Sequence, residues 1–288
     1  MMQHLRLLGF PWRLRALGMV ALLIGSGIML WFQQNRPTVL AAIDPVPTLR
    51  VMTWNGYFLN KDRTAFLDAV AAEKPDLIAI QELNTLIAET ASRNLTKEYP
   101  FQALFPARTP AGMGILSRHP FIITTAPNFS PVGGCNCQVA TIDFNGVPMT
   151  LISTHPWPPK LGFPFRSSTQ FGLNTENQDR IFDQLLQQMA QAAAPLLVVG
   201  DLNTMSLQAN YRRVNTLLHD AYVESGVGPA STFPVKGNEK NWFSQPLLRI
   251  DYIFHDDAWQ AQKSWVGTIP GSDHRYVIAD LSFLGVQP

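Results

Sequence analysis

Short apolar blocks of two periodicities alternate along this chain. "LRVMTWN" (Leu49–Asn55) is a β-type run, whereas Asp62–Lys74 sets Phe66, Leu67, Val70 and Ala71 at helical spacing. A strand is predicted for Pro75–Glu82, entered from a proline, and another for Gly112–Arg118, stopped by Pro120. Between Cys137 and His155, two β-rich runs flank Asn145-Gly146. That dipeptide supplies the positive φ angles of a type I′ turn, so the stretch reads as a hairpin. Glu176–Ala194 is the clearest helix: Ile181, Leu185, Gln188 or Met189 and Ala192 trace one face, and Pro195 stops it. "PLLVVGDLN" follows as a buried strand, and Arg249–Asp256 and Tyr276–Phe283 are the last two clear strands.

Helices between strands, plus a hairpin, predict an α/β (α+β) fold, a sandwich of mixed sheets in one domain. At 288 residues, 46% hydrophobic and 15% charged, the chain can bury a full core and is too apolar to be disordered. No internal repeat or low-complexity block interrupts the pattern.

The N-terminal stretch departs from this alternation. Residues 16–32, "ALGMVALLIGSGIMLWF", carry no charge; Arg6, Arg13 and Arg15 precede them, and the first acid is Asp44. An apolar run without a polar face, led by arginines, predicts a transmembrane anchor. Residues 1–15 would lie in the cytoplasm and the rest of the chain outside. Cleavage near Ala41, which would release the chain as a secreted protein, is the rival reading. Residues 33–48, with Pro37, Pro45 and Pro47, form a linker, and residues 49–288 the globular domain.

Charge narrows the partners. Four of the 22 basic residues precede Asp44, leaving 18 against 21 acidic ones, a net charge of −3. No strongly basic field is present to grip a polyanion. Cys135 and Cys137, in "GGCNCQ", form either a tight disulfide in an oxidising compartment or simply two small residues in a glycine-rich turn. Two cysteines alone are too few for a zinc site.

The candidate chemistry sits at strand ends. Asn55 ends the first strand and Glu82 the second. His155 ends the return strand of the hairpin, and Asp201 and Asn203 end the strand after the long helix. Asp251 opens a strand, and Asp273 and His274 open the last one. Strand interiors are apolar, so these residues belong on an edge of a sheet. Oxygen ligands without thiolates suit a hard cation, Mg²⁺ or Mn²⁺, which needs few protein carboxylates and leaves room for a phosphate. Imidazoles beside it take a proton from water or stabilise a phosphoryl oxygen. Metal, base and anion stabiliser together are what phosphoester hydrolysis requires.

These residues also fall into a family pattern. "TWN" (Thr53–Asn55), "IQE" (Ile80–Glu82), "GILSR" (Gly114–Arg118) and "STHP" (Ser153–Pro156) are followed by "GDLN" (Gly200–Asn203), "TF" (Thr232–Phe233), "IDYIF" (Ile250–Phe254) and "SDHR" (Ser272–Arg275). Eight motifs in this order resemble the endonuclease/exonuclease/phosphatase family, the DNase I-like superfamily, over roughly Leu49 to Leu284. The resemblance implies a four-layered α/β sandwich, two packed mixed sheets flanked by helices, and Mg²⁺-dependent phosphoester cleavage. It implies Glu82 as the main metal ligand, with Asn55 and Asp273 close by. It implies His274 polarising water or phosphate and oriented by Asp251, Asp201 activating the nucleophile or protonating the leaving oxygen, Asn203 holding Asp201, and His155 stabilising phosphoryl oxygens. Asp201 and His274 both remain open as the base. "RTPAGMGILSR" and "QELNTL" stand where repair-type members carry a tyrosine and a "QETK"-like segment, which argues against an abasic-site repair nuclease.

Each residue has a plainer alternative. Glu82 could open a helix, Asp201 and Asn203 could cap the next segment, Asn55 could make a turn, His155 could be a satisfied loop histidine, and Asp251 could pair with Arg249 or Arg275. Jointly these require several coincidences.

The expected protein is a membrane-anchored, extracytoplasmic phosphodiesterase or phosphatase, acting on nucleic acid, phospholipid or sugar phosphate. No protein partner is inferable. The alternative is a catalytically inactive relative serving as a binding module; the presence of Glu82, Asp201, Asp251 and His274 weighs against it. Trp157, Phe163 and Phe165 are expected to wall the cleft or dip into a membrane surface. Truncation before Gly271 is expected to abolish activity even if much of the fold survived.

Overall fold

The first strand shows how the alternation is used. In β1 (Thr48–Asn55), Leu49 and Val51 face a core shared with a second sheet, while Met52 and Trp54 face helices on the other side. The structure, a computed structural model, describes residues 47–128, 134–162, 172–235 and 246–286. The anchor predicted at 16–32, the arginines before it, and Phe163 and Phe165 lie outside these residues. Among the described residues, no helix is long and apolar enough to cross a membrane.

One sheet contains, in chain order, β1, β2 (Leu77–Gln81), β3 (Phe101–Phe105), β4 (Met113–Ser117), β13 (Trp259–Thr268) and β14 (Arg275–Phe283). Its spatial order is β13-β14-β1-β2-β4-β3. The other contains β5 (Phe121–Thr124), β6 (Cys137–Phe144), β7 (Val147–Thr154), β10 (Leu196–Asp201), β11 (His219–Asp220) and β12 (Asp251–His255). Its order is β11-β12-β10-β7-β6-β5. β8 (Lys160–Gly162) and β9 (Gly172–Asn174) pair separately. Both sheets are mixed: β1 runs parallel to β2, and β7 to β10, while the remaining pairs are antiparallel.

Helices α1 (Arg63–Glu73) and α2 (Thr85–Asn94) cover the outer face of the first sheet, with Phe66, Val70 and Ile87 against Trp54, Ile78 and Ile80. Helices α3 (Glu176–Gln191) and α4 (Ala209–Asn215) cover the second, with Phe182, Leu185 and Val214 against Ile152, Val198 and Phe254. The short α5 (Ala221–Ser225) follows β11. Layers therefore stack helix, sheet, sheet, helix, as an apolar stripe on a helix and two apolar sheet faces require. The hairpin turn is as expected, with Asn145 at φ 54° and Gly146 at φ 86°.

Several elements differ from the sequence expectations, among them β3 and β5, which were not foreseen. Helix α3 stops at Gln191, ahead of Pro195, because Ala192 is already extended. β13 has no counterpart in the predicted strands: Gln260, Gln262 and Lys263 dilute its apolar alternation, and a bulge lies between Ala261 and Lys263. β14 is paired on both sides, with β13 and β1. A truncation before Gly271 would therefore remove an interior strand of the sheet along with Asp273 and His274.

Candidate active site

The site is built by continuing the two-residue period past the apolar core. On the inter-sheet face, Leu49 and Val51 are followed by Thr53 and Asn55, and Leu77 and Ala79 by Gln81. In the second sheet Leu151 is followed by Ser153 and then His155, and Leu197 and Val199 by Asp201. β12 runs opposite to β10 and pairs Asp251 with Asp201, so its first residue meets the end of β10. The same face thus changes from apolar to polar at one edge in both sheets.

Hydrogen bonds join those edges. Thr53 donates to Gln81 Oε1 (3.2 Å), and Gln81 Nε2 donates to Ser153 Oγ (3.0 Å) across the sheets. Asn55 Nδ2 donates to Asp201 Oδ2 (3.0 Å) and to Glu82 Oε1 (3.2 Å). Asp201 Oδ2 is the hub of the site, with His155 Nε2 at 3.5 Å and His274 Nε2 at 3.7 Å. Asn203 reaches it with Nδ2 (3.4 Å) and gives its backbone N–H to Oδ1 (2.9 Å). Gly200 makes the approach of β10 to β7 possible: its φ is +139°, and a Cβ there would lie 2.0 Å from the Thr154 carbonyl oxygen.

The Asp273–His274 turn is tied to both sheets. Ser272 Oγ donates to the Asn55 carbonyl (2.7 Å) and accepts from His274 N (3.0 Å). Arg275 N donates to Thr232 O, and Val235 N to Asp273 O, each at 2.8 Å. His274 Nδ1 meets Asp251 Oδ2 at 2.9 Å, and the Phe233 ring lies 4.7 Å from the imidazole. Gly271, at φ +92°, turns tightly against Asn60. Glu82 sits in the left-handed region at φ 52°, where its Oε2 accepts from Phe58 N (3.1 Å). All eight residues singled out in the sequence therefore converge on one edge.

The charges are strongly coupled. Burial alone would push His274 down, but Asp251 and then Asp201 reverse this and raise it to about 10. For His155, burial is likewise opposed and outweighed by Asp201 and Glu82, so it too is raised. Burial works against Asp201, yet His274 and His155 hold it below the ordinary carboxylate range. Burial raises Asp251, with His274 opposing. Burial raises Asp273 as well; His274 offsets part of this and Glu82 adds repulsion.

That last repulsion is the test for a cation. Glu82 and Asp273 are two carboxylates bringing like charge into a largely buried corner, an oxygen donor set that a hard divalent ion fits. Asp201, Asp251 and His274 also have ligand atoms within 4.8 Å of one another, close enough to share an ion. Their oxygens and nitrogens, however, already face each other as an acid–imidazole–acid relay.

The plainer alternatives can be checked individually. Helix α2 is capped by Asn84, whose Oδ1 accepts from Ile87 N (2.9 Å), so Glu82 precedes the cap. Arg249 pairs with Asp220 and lies over the Tyr222 and Tyr252 rings, leaving Asp251 to His274. Asp201 does make a turn with Asn203, in addition to its other contacts. Trp157 is 40% exposed with its ring 6.5 Å from that of His155, beside the site.

Two supporting residues were not singled out from the sequence. Gln178 is buried in the first turn of α3 and donates to the carbonyls of Trp157 (3.1 Å) and Asn203 (2.8 Å). Its signal was a glutamine on the apolar stripe that continues through Ile181, Phe182 and Leu185. The second is Asn136, between Cys135 and Cys137, which are joined by a disulfide.

Two packed mixed sheets flanked by helices are the α/β sandwich of DNase I-like proteins. The chain belongs to the Endonuclease/Exonuclease/phosphatase family, which it matches over residues 52–274. Among solved structures it is similar to D. rerio TDP2 complexed with single strand DNA product (17% identity, 82% of this chain and 99% of that one, TM-score 0.63). It is also similar to an endonuclease/exonuclease/phosphatase from Beutenbergia cavernae (19% identity, 82% and 72% covered, TM-score 0.61). A third is sphingomyelinase C from Streptomyces griseocarneus (18% identity, 81% and 99% covered, TM-score 0.59). At these identities the likeness is one of fold. No curated protein matches the sequence.

Proposed function

We propose that this protein is a divalent-metal-dependent phosphoester hydrolase. The observation that carries the reading is the Asp251–His274–Asp201 relay, facing Asn55 and Glu82 where the two sheets join. Glu82, Asp273 and Asn55 would hold Mg²⁺ or Mn²⁺, which supplies charge to a phosphoryl oxygen and to the attacking water. His274, cationic at neutral pH, is suited to stabilise a developing phosphoryl charge, with Asp251 fixing its ring. Asp201, held ionised, is the carboxylate available to take the proton from water. Asn203 orients Asp201, and His155 adds a second positive charge near the phosphate.

One similar fold is of a protein complexed with single-strand DNA product and another of a sphingomyelinase, and fold alone does not fix the substrate. The net charge of −3 outside the N-terminal stretch favours a lipid or small phosphoester over a long polyanion. A retained anchor at residues 16–32 would hold the domain outside the cytoplasm. The Cys135–Cys137 disulfide supports an oxidising compartment.

The test is hydrolysis of bis-p-nitrophenyl phosphate with Mg²⁺, Mn²⁺ and EDTA, followed by DNA, RNA, phospholipid and inositol phosphate, with His274→Ala as the blank. Metal-dependent turnover abolished in the blank is expected. Absence of turnover on every substrate would favour the inactive binding module.

A further inference from the structure

The turn Cys135–Cys137 takes no part in the proposed chemistry, yet it grips the backbone of His155 on both sides. His155 lies one residue beyond β7. It donates its backbone N–H to the Asn136 carbonyl (2.8 Å), and its own carbonyl accepts from Asn136 Nδ2 (3.3 Å). Thr154 Oγ1 lies 3.3 Å from each of the Cys135 and Asn136 carbonyl oxygens. Cys137 pairs with Thr154, so the β6–β7 ladder ends where this turn begins.

The disulfide encloses a single residue, Asn136, with the two cysteine Cα atoms 5.2 Å apart. Asn136 has φ 45°, a left-handed conformation that asparagine tolerates better than most residues. It is buried, and its Oδ1 has no hydrogen-bond partner among the described residues. A buried amide oxygen without a partner opposes folding, so fold stability alone does not account for an asparagine here. Its side-chain bond to the His155 carbonyl does.

We propose that Asn136 is a positioning residue for His155, locked by the Cys135–Cys137 disulfide, so that hydrolysis depends on the redox state of this pair. The proposal rests on the reading of His155 as the group that faces the phosphate. Reduction by a dithiol breaks the Sγ–Sγ bond, leaves one proton on each sulfur, and closes the reductant into its own disulfide as two electrons pass. The left-handed turn then loses its covalent ring, and His155 loses its fixed place beside Asp201 and Glu82.

The experiment compares the full chain before and after dithiothreitol, with free thiols counted and bis-p-nitrophenyl phosphate as substrate. Reduction is expected to lower kcat about tenfold with KM nearly unchanged, and reoxidation to restore it. Cys135→Ser with Cys137→Ser should sit at the lower rate and ignore dithiothreitol. Asn136→Gly, which keeps the positive φ and removes only the side-chain bond, should cost about fivefold in kcat. In His155→Ala, neither reduction nor Asn136→Gly should lower the rate further, which separates positioning from general destabilisation. The imidazole resonances of His155 should move on reduction by more than those of His274, which shares Asp201 with it.

Two counted thiols with unchanged kcat and an unmoved His155 resonance would overturn the proposal. Equal losses in His155→Ala and the wild type would also overturn it. If the oxidised wild type hydrolyses nothing, the proposed function falls, and the His155 resonance alone decides the clamp.

Discussion

His274 Nδ1 and Asp251 Oδ2 lie 2.9 Å apart although they belong to different sheets. Asp251 opens β12 in one sheet, and His274 immediately precedes β14 in the other. The contact joins the two layers at the end where both cores turn polar. Both side chains are almost fully buried, so their charge is settled by each other and by Asp201 rather than by water.

Asp251→Asn should release His274. In the folded protein, where burial is outweighed by Asp251 and then Asp201, His274 holds its proton up to about 10, against an ordinary 6.5. Stability linked to that proton is therefore complete below 6.5 and lost as pH rises through about 10. In metal-free protein, NMR titration should show the midpoint fall toward the ordinary value in Asp251→Asn, and the alkaline loss of stability should shrink. Turnover should drop about 10²- to 10⁴-fold.

Asn55→Ala should act through the metal and the base together. Its amide bridges Glu82 and Asp201, so its loss leaves both carboxylates free to turn. Half-saturation by Mg²⁺ should rise about 10- to 100-fold, read from the metal dependence of turnover. Thermal stability should change much less than turnover.

Gly200→Ala should destabilise the fold rather than merely inactivate. At φ +139° a side chain is strained, and the new Cβ would lie 2.0 Å from the Thr154 carbonyl oxygen. Urea denaturation should show a loss of about 3 kcal/mol.

Arg249→Met should destabilise without touching the relay. Arg249 is the ion-pair partner of the buried Asp220, and the variant leaves that carboxylate unpaired. A loss of about 3–5 kcal/mol in denaturant unfolding is expected. Adding Asp220→Asn, whose amide oxygen can still accept from Tyr222 N while its Nδ2 donates to the Tyr211 hydroxyl oxygen, should recover part of it.

Ending the chain before Gly271 should give no folded protein. Thr48–Thr53 of β1 pair with Val277–Ser282 of β14, so the cut exposes β1 as well as removing Asp273 and His274. Circular dichroism should show an unfolded chain in place of an inactive sandwich.

Much of this was legible beforehand because strand periodicity is local. The β-type run Leu49–Asn55 was read as a strand ending at Asn55, and the Asn145-Gly146 pair placed the hairpin turn where it is found. β13 was not legible, because Gln260, Gln262 and Lys263 sit on a sheet edge that does not need an apolar alternation. Gln178 was not legible either: one polar residue on a helix stripe gains meaning only when the Trp157 and Asn203 carbonyls are seen above it.

The sequence by itself determined which polar side chains stand at strand ends, because strand runs and their ends are read from local pattern. Only the tertiary structure decided that those ends form one site. Asn55 reaches Asp201 across 146 positions of chain, and His274 reaches Asp251 between sheets. Such contacts arise from how two apolar faces dock, and docking is set by the whole buried surface rather than by any local pattern.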